Sequence, residues 1–443
     1  MADNFYDELY ESWKKYFHCY VAGNEHLEKP MFHSLIGILF TSENARLCYL
    51  THGSYFSMRI HPFMLQPSGS GKSETVRCHN NLLTSINYEL SQMGIKLNLK
   101  SELTTKMTDA GLLGSVDKKG NLIFGALSND NVIYWDEGSV LFRDDNFTSG
   151  TRDTLQMALD EKGGGMGQVS KRLGSIPNPI SYPSRTTLIA GSYLTPSMNK
   201  TIFNEGLFQR LYLTFKEYTY DDLRVLRRQV MELKRIDKFR DIDPIVKKIN
   251  EIIYQLVDFC NRTYSKSGHT NNIRFNEGML TEFYDMLDKM IEAKTKGAFD
   301  DKGRQDILNT FSNRAMLCAD KFAAQHAILF KKPEVELDDY KYGVEMAGQH
   351  LDSIYKILEC VGKVQYDTKK NYENIVIECL TANPGITQKT LVSLLRGTNG
   401  TPIMGWDKSF NKTLEFLNEM EKDGKIVCKQ GSNNSKLYYP FNG

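Results

Sequence analysis

The chain has 443 residues, 41% hydrophobic and 25% charged, with 55 Lys and Arg against 54 Asp and Glu for a net charge of +1. This is a soluble globular composition, long enough for about three domains at ~150 residues each and for a core that needs no disulfide or zinc staples. The balanced charge excludes a histone-like binder, and eight scattered cysteines without a Cys-x-x-Cys pair argue for reduced thiols in the cytoplasm and against zinc.

The N-terminal stretch MADNFYDELYESWKKYF is amphipathic and acidic, and the longest apolar run, near Leu35 to Phe40, is far shorter than the ~20 residues of a membrane span. Neither secretion nor membrane insertion is expected. Residues 1–50 read as an N-terminal helical segment. From Arg59 onward come short apolar runs, RIHPFMLQ, NLIFGAL, NVIYWDE, TTLIAGSYL and RLYLTF, separated by helical stretches. Strands alternating with helices predict an α/β core over 51–222 with a largely parallel sheet.

Beyond Glu217 the strand signal stops, and 223–365 is predicted to be an all-helical unit. It opens on Arg224 to Arg240, with seven basic and two acidic residues, a run that favours a solvated helix face over a DNA contact. After the polar stretch QYDTKKN, residues 366–443 read as three helices and a β-hairpin, the layout of a winged helix.

The strand PFMLQ runs into PSGSGKSE and then a helix. That context makes a glycine loop a phosphate site: backbone N–H groups of Ser68, Gly69, Ser70, Gly71, Lys72, Ser73 and Glu74 turn inward, Lys72 reaches the terminal phosphates and Ser73 ligates Mg²⁺. Gln66 stands where the usual first glycine of the pattern falls. Roughly 60 residues on, NVIYWDEG ends an apolar strand in two acids, Asp136 for the metal and Glu137 for the attacking water. ATP and Mg²⁺ are the implied cofactors. A third strand, TTLIAGS, ends at Ser192, the first choice for a polar group between water and γ-phosphate, with Tyr193 and Thr195 close behind. Arg210, before the strand YLTF, is a candidate finger for a neighbouring subunit's γ-phosphate. Arg314 opens an apolar helix. For both arginines a buried ion pair is the structural alternative.

The order GSGKS, YWDE, TTLIAGS and GLFQRLYL resembles an AAA+ ATPase, and finer features are similar to the minichromosome-maintenance replicative helicases. SELTTKMTDAGLLGSVDKKGNLIFGALSNDNVIYWDE resembles that family's insert, with a hairpin between the two nucleotide motifs. LQMALDEKGGGMGQVSKRLGSIPNPISYPSRTTLIAGS resembles its helix, pre-sensor hairpin and sensor strand. The resemblance runs from about Met31 to the C-terminus. It implies an AAA+ P-loop core with a parallel sheet, an all-helical lid and a C-terminal winged helix. Carried over, it makes Lys72, Ser73, Asp136 and Glu137 the cis site, Arg210 a trans finger, Arg314 the second sensor, and Lys171 with Arg172 the hairpin's DNA contacts. The family's large N-terminal collar is absent, which suggests a reduced relative of the kind carried by plasmids, viruses or integrated mobile elements.

The resemblance implies an ATP-dependent DNA translocase or helicase working as a homo-oligomeric, hexameric ring. Single-stranded DNA would run in the pore, and a loader or primase would be a further partner; for the winged helix two readings stand, duplex phosphates gripped by Lys408, Lys412, Lys429 and Lys436, or a protein partner. An AAA+ initiator or loader, and an ATP-switched DNA-binding regulator, are the rival readings. Glu137 and Arg210 together argue against a pure switch, which requires neither.

Overall fold

The computed structural model describes residues 4–42, 45–51, 54–104, 107–116, 121–128, 131–142, 146–161, 166–171, 180–194, 206–267, 270–395, 410–431 and 435–441. The chain divides into two compact units, Met1–Leu358 and Glu359–Gly443. The first unit opens with α1 (Phe5–His18) and α2 (Glu25–Leu39). Asn4 caps α1 by accepting the Asp7 N–H, and Phe5, Leu9, Trp13, Tyr16 and Phe17 at helical spacing form its buried face.

A five-stranded parallel sheet holds β3 (Pro62–Leu65), β4 (Lys100–Thr104), β7 (Asn131–Trp135), β10 (Thr187–Ser192) and β11 (Tyr212–Phe215) in the order β11-β3-β10-β7-β4. Strands β3 and β10 are buried at every position, as continuous apolar runs in the middle of a parallel sheet must be. Ala190 pairs with Phe63 on one side and Trp135 on the other, and Ser192 pairs with Leu65, so β3 and β10 end together and β7 ends two residues earlier, opposite Ala190. In open α/β sheets the carboxyl edge is where ligands bind.

Two antiparallel hairpins interrupt the sheet, β5 (Gly114–Val116) with β6 (Leu122–Phe124), and β8 (Gly167–Lys171) with β9 (Ile180–Ser184). The run NLIFGAL therefore enters a hairpin rather than the main sheet, and the fifth parallel strand is β4. That strand lies at the sheet edge with four of its five residues exposed, so burial imposes no apolar pattern on KSELT.

The stretch 223–365 is not all helical. It contains α6 (Tyr220–Leu233), α7 (Asp243–Thr263), α8 (Leu280–Thr295), α9 (Lys302–Ser312) and α10 (Ala315–Leu329), and also the strands β12 (Ser265–Ser267), β13 (Thr270–Phe275) and β14 (Glu334–Val335). These join β1 (Leu47–Thr51) and β2 (Ser54–Ser57) in a second, mixed sheet, with β13 parallel to β1 from Leu47 opposite Asn271. The last residues of the N-terminal segment are thus a strand whose partner lies far along the chain. Thr, two Asn and Arg in TNNIRF conceal the alternation that leaves Ile273 and Phe275 buried.

Helix α11 (Leu337–Ala382) contains the boundary between the units. The second unit continues with β15 (Ile386–Thr387), α12 (Gln388–Leu395), α13 (Phe410–Lys422), β16 (Ile426–Gln430) and β17 (Lys436–Pro440), its sheet ordered β15-β17-β16 and antiparallel. Val376, Leu380, Leu391, Val392 and Leu417 are its core. Among the described residues no helix is long and apolar enough to cross a membrane.

Candidate functional site

The glycine loop links the end of β3 to α3 (Lys72–Gln92). Gly69 and Gly71 hold φ of +75° and +89°, which an L side chain adopts only under strain. Gly71 is the N-cap of α3 and lends no side chain, so the first-turn amides of a long helix are uncapped at the loop. Lys72 Nζ donates to the carbonyls of Gln66 and Pro67 at 2.8 and 2.7 Å. Burial lowers its pKa to about 8, against the opposing pull of Asp136. Its stem passes Gly191, where a Cβ would stand 3.3 Å from Lys72 Cδ.

Asp136 and Glu137 follow β7 directly. Ser73 Oγ donates to Asp136 Oδ1 at 2.7 Å, so a hydroxyl and a carboxylate from two elements converge at the start of α3. Both are hard oxygen donors of the kind Mg²⁺ takes. Among the described residues no group of three or more His, Cys, Asp or Glu is arranged to hold a metal ion, and all eight cysteines are free. Ser192 is buried; its hydroxyl donates to the Tyr193 carbonyl at 3.2 Å and its own carbonyl accepts the Gln66 N–H. Thr195 lies outside the described residues.

These groups line one cleft of about 610 Å³: Ser68, Gly69, Gly71, Lys72, Ser73, Glu74, Asp136, Glu137 and Ser192, together with the apolar Tyr20, Ala22, Leu226, Val230 and Leu233. Ser70 points away and donates to Gln66 Oε1 at 2.9 Å, and Glu74 pairs with Arg77 at 3.2 Å. A cleft of this volume lined by both charged and apolar groups suits a ligand that carries both characters.

The two arginines line a different cavity. Arg210 sits in a 3₁₀ turn before β11, ion-paired to Asp160 at 2.9 Å, and also donates to the Gly206 carbonyl. Arg314 is the N-cap of α10 and near enough to Arg210 for their charges to repel. In the single chain, Arg210 therefore makes the ion pair that was its structural alternative. Lys171 holds the last paired position of the β8–β9 hairpin, opposite Ile180, and Arg172 lies outside the described residues. So does Lys408. Lys412 belongs to α13, Lys429 and Lys436 lie on the antiparallel strands β16 and β17, and Lys429 Nζ stands over the Tyr439 ring.

Sequence reading missed the residues that brace the loop. Asn24 donates to the Ser70 carbonyl at 2.7 Å, and Tyr218 donates to Asn24 Oδ1 at 2.6 Å. Gln66 Oε1 accepts from Ser70 while its amide donates to His26 Nε2 at 2.7 Å. Burial, then Lys216, lowers His26 to about 3, so its ring stays neutral and Nε2 stays an acceptor. The one sequence signal was Gln66 itself, a side chain able to donate and accept where a glycine was due. Scanned against protein-family models the chain matches none, and no curated protein matches it in sequence.

Proposed function

We propose that the chain is a Mg²⁺-ATP-dependent DNA translocase or helicase of the AAA+ type, similar to the minichromosome-maintenance helicases, acting in the cytoplasm as a homo-oligomeric, hexameric ring. One observation carries this reading: β10 lies between the loop strand β3 and the acidic strand β7, and the loop and acids that follow these strands meet with Ser73 and Asp136 in hydrogen-bond contact. An inserted strand puts Ser192 between the loop and the acids, where a sensor of the γ-phosphate is needed. The β5–β6 and β8–β9 hairpins, at the positions of the family's insert and pre-sensor hairpin, support it further. So do the helices and three-stranded sheet of the second unit, which suit a winged helix.

The chemistry follows from the groups present. The phosphates would lie along the amides of Ser68 to Glu74, and the base would lie against Tyr20 and Leu226. Lys72 would leave the Gln66 and Pro67 carbonyls for the terminal phosphates. Ser73 and Asp136 would hold Mg²⁺, which neutralises charge on the bridging phosphate oxygens. Glu137, exposed at the cleft, would orient the water and take its proton. Arg210, absent from that cleft, is read as the finger that serves a neighbouring copy, which requires it to leave Asp160, and Arg314, also absent from it, as the second sensor.

The deciding experiment is strand displacement on forked DNA with opposite tails. ATP-driven unwinding of one polarity is the expected result. Hydrolysis stimulated by DNA without displacement would favour an initiator or loader, and binding without turnover a nucleotide-switched regulator.

A further inference from the structure

Helix α6 has two unlike faces. Leu226 is its one buried residue, seated so closely on the turn at Gly23 that a Cβ on that glycine would stand 2.9 Å from Leu226 Cδ1. Leu226, Val230 and Leu233 line the cleft at the glycine loop. Tyr220, Arg224, Arg227, Arg228 and Met231, at i, i+4, i+7, i+8 and i+11, form the opposite face. All five are exposed, Tyr220 by 75% and Met231 by 68%.

The charge on this outer face is uncompensated. Arg224 and Arg228 make no side-chain hydrogen bond or ion pair among the described residues, while Arg227 donates Nε to the Leu223 carbonyl at 3.1 Å and stands 5.8 Å from the Tyr220 ring centre. Asp222 is taken up by the capping box with Thr219. Asp221 and Glu232, each within one turn of an arginine along the helix, pair with none among the described residues. Elsewhere on the same unit exposed lysines do find carboxylates, Lys248 with Glu8 at 3.0 Å and Lys341 with Asp338 at 2.9 Å.

The kind of anion that suits this face follows from where the apolar groups lie. A membrane, or a protein groove that takes a helix, requires the apolar stripe to face outward, and here that stripe lines the cleft. An acidic protein would have to cover Tyr220 and Met231, which stand three turns apart at the two ends of the arginine row instead of forming one knob. A single nucleic-acid strand meets every feature: guanidinium forks pair with phosphates, and an exposed ring stacks on a base without regard to sequence.

We infer that the outward face of α6 binds single-stranded nucleic acid, its phosphates on Arg224, Arg227 and Arg228 and a base on Tyr220. The surface shares no residue with the β8–β9 hairpin, adds a second strand contact to the one proposed there, and depends on neither ATP hydrolysis nor a ring.

The test titrates the full-length chain, without nucleotide, against a fluorescent oligothymidylate over a range of salt. Saturable binding is expected. Arg224→Gln combined with Arg228→Gln should weaken it by about tenfold or more and lower the salt slope by about 1.4, at about 0.7 for each charge removed. Lysine at both positions should keep the slope. Tyr220→Ala should weaken binding by about tenfold with the slope unchanged, and Tyr220→Phe should restore it. A strand carrying 5-iodouracil, irradiated in the complex, should cross-link to the peptide that contains Tyr220. No binding by wild-type chain, an unchanged slope in the folded Gln pair, or cross-links confined to the β8–β9 hairpin would overturn the inference. So would polyglutamate that binds as tightly and is lost in the same variants, which would make the partner an acidic protein. Should the Gln pair not fold, the Tyr220 variants and the cross-link decide. Loss of binding in the Gln pair, with no strand displacement by wild-type chain, leaves this surface standing and removes the helicase reading; displacement by wild-type chain, with an unchanged slope in the Gln pair, does the reverse.

Discussion

Asn24, in the turn between α1 and α2, donates its side-chain amide to the Ser70 carbonyl at 2.7 Å, so the N-terminal helical segment holds the glycine loop at Ser70. A Cβ on Gly71 would stand 2.9 Å from that same amide nitrogen. The loop is therefore shaped from both sides, by its own glycines and by a residue from another part of the chain.

Gln66 is the other half of that brace, and it leads to an outcome opposite to what the loop pattern alone suggests. Gln66→Gly, which restores the usual glycine, removes partners from buried Ser70 and from His26. Destabilisation of about 1–3 kcal/mol is expected, with weaker nucleotide binding. Urea unfolding and an equilibrium nucleotide titration measure the two effects, and a more stable or tighter-binding variant would refute the bracing role.

The two halves of the cleft should separate cleanly. Lys72→Ala is expected to lose nucleotide binding, since the ammonium neutralises phosphate charge, while Glu137→Gln should bind nucleotide and fail to hydrolyse it. Normal turnover by Glu137→Gln would remove Glu137 from the water-orienting role.

Five histidines set the acid limit of the fold. Burial lowers His26, His33 and His79 to about 3 and His350 to about 4, and drives His61 well below its ordinary 6.5. As pH falls below 6.5 the unfolded chain takes up these protons and the folded chain refuses them, so stability present above 6.5 is lost progressively toward 4. Each contributes up to about 1.4 kcal/mol per pH unit in that window. Asp320, raised to about 7 by burial, works in the opposite sense between 3.8 and 7, but it is one group against five. The urea midpoint should fall steeply from pH 7 to pH 5; a flat midpoint would mean these rings are not held neutral.

How much of this was legible in the sequence depended on how local each cause was. The strands β3, β7 and β10 are apolar runs because the sheet buries them, and the loop is a contiguous pattern, so both stand out in one dimension. Strand β4 is an exposed edge with no such pattern. Strand β13 pairs with a strand from the opposite end of the first unit, a contact that leaves no local trace. Asn24, His26 and Tyr218 matter only because folding brings them to the loop. The Arg210–Asp160 pair is similar: Asp160 follows α5 (Asn146–Leu159), and nothing near either residue advertises the other.

The hairpin makes a prediction in salt. Lys171 and Arg172 are proposed to meet phosphates of single-stranded DNA, and each contact releases counterions with a slope of about 0.7 per charge. Replacing both with Ala should weaken DNA binding and flatten its salt dependence by about that amount for each residue, with DNA-independent ATP hydrolysis retained. An unchanged slope would return the hairpin to a solvated loop.

The proposed ring rests most heavily on Arg210, because an arginine that lines a separate cavity contributes to hydrolysis only by entering another copy's site. Dilute monomer should then be nearly inactive. Arg210→Ala should lower turnover by a factor on the order of 10³ while Mg²⁺-ATP binding at Lys72, Ser73 and Asp136 persists, since only transition-state charge stabilisation is removed. Mixing Arg210→Ala with Lys72→Ala supplies the sharper measurement: some interfaces then combine an intact loop with an intact arginine, and partial activity should return. Asp160→Asn gives the complementary reading, because it frees Arg210 from its partner in the single chain without touching the loop. If Arg210 is a finger held in reserve, Asp160→Asn should keep concentration-dependent turnover. If the ion pair is purely structural, Asp160→Asn and Arg210→Ala should lose stability together, mixed assemblies should stay inactive, and Arg210 returns to a role in packing.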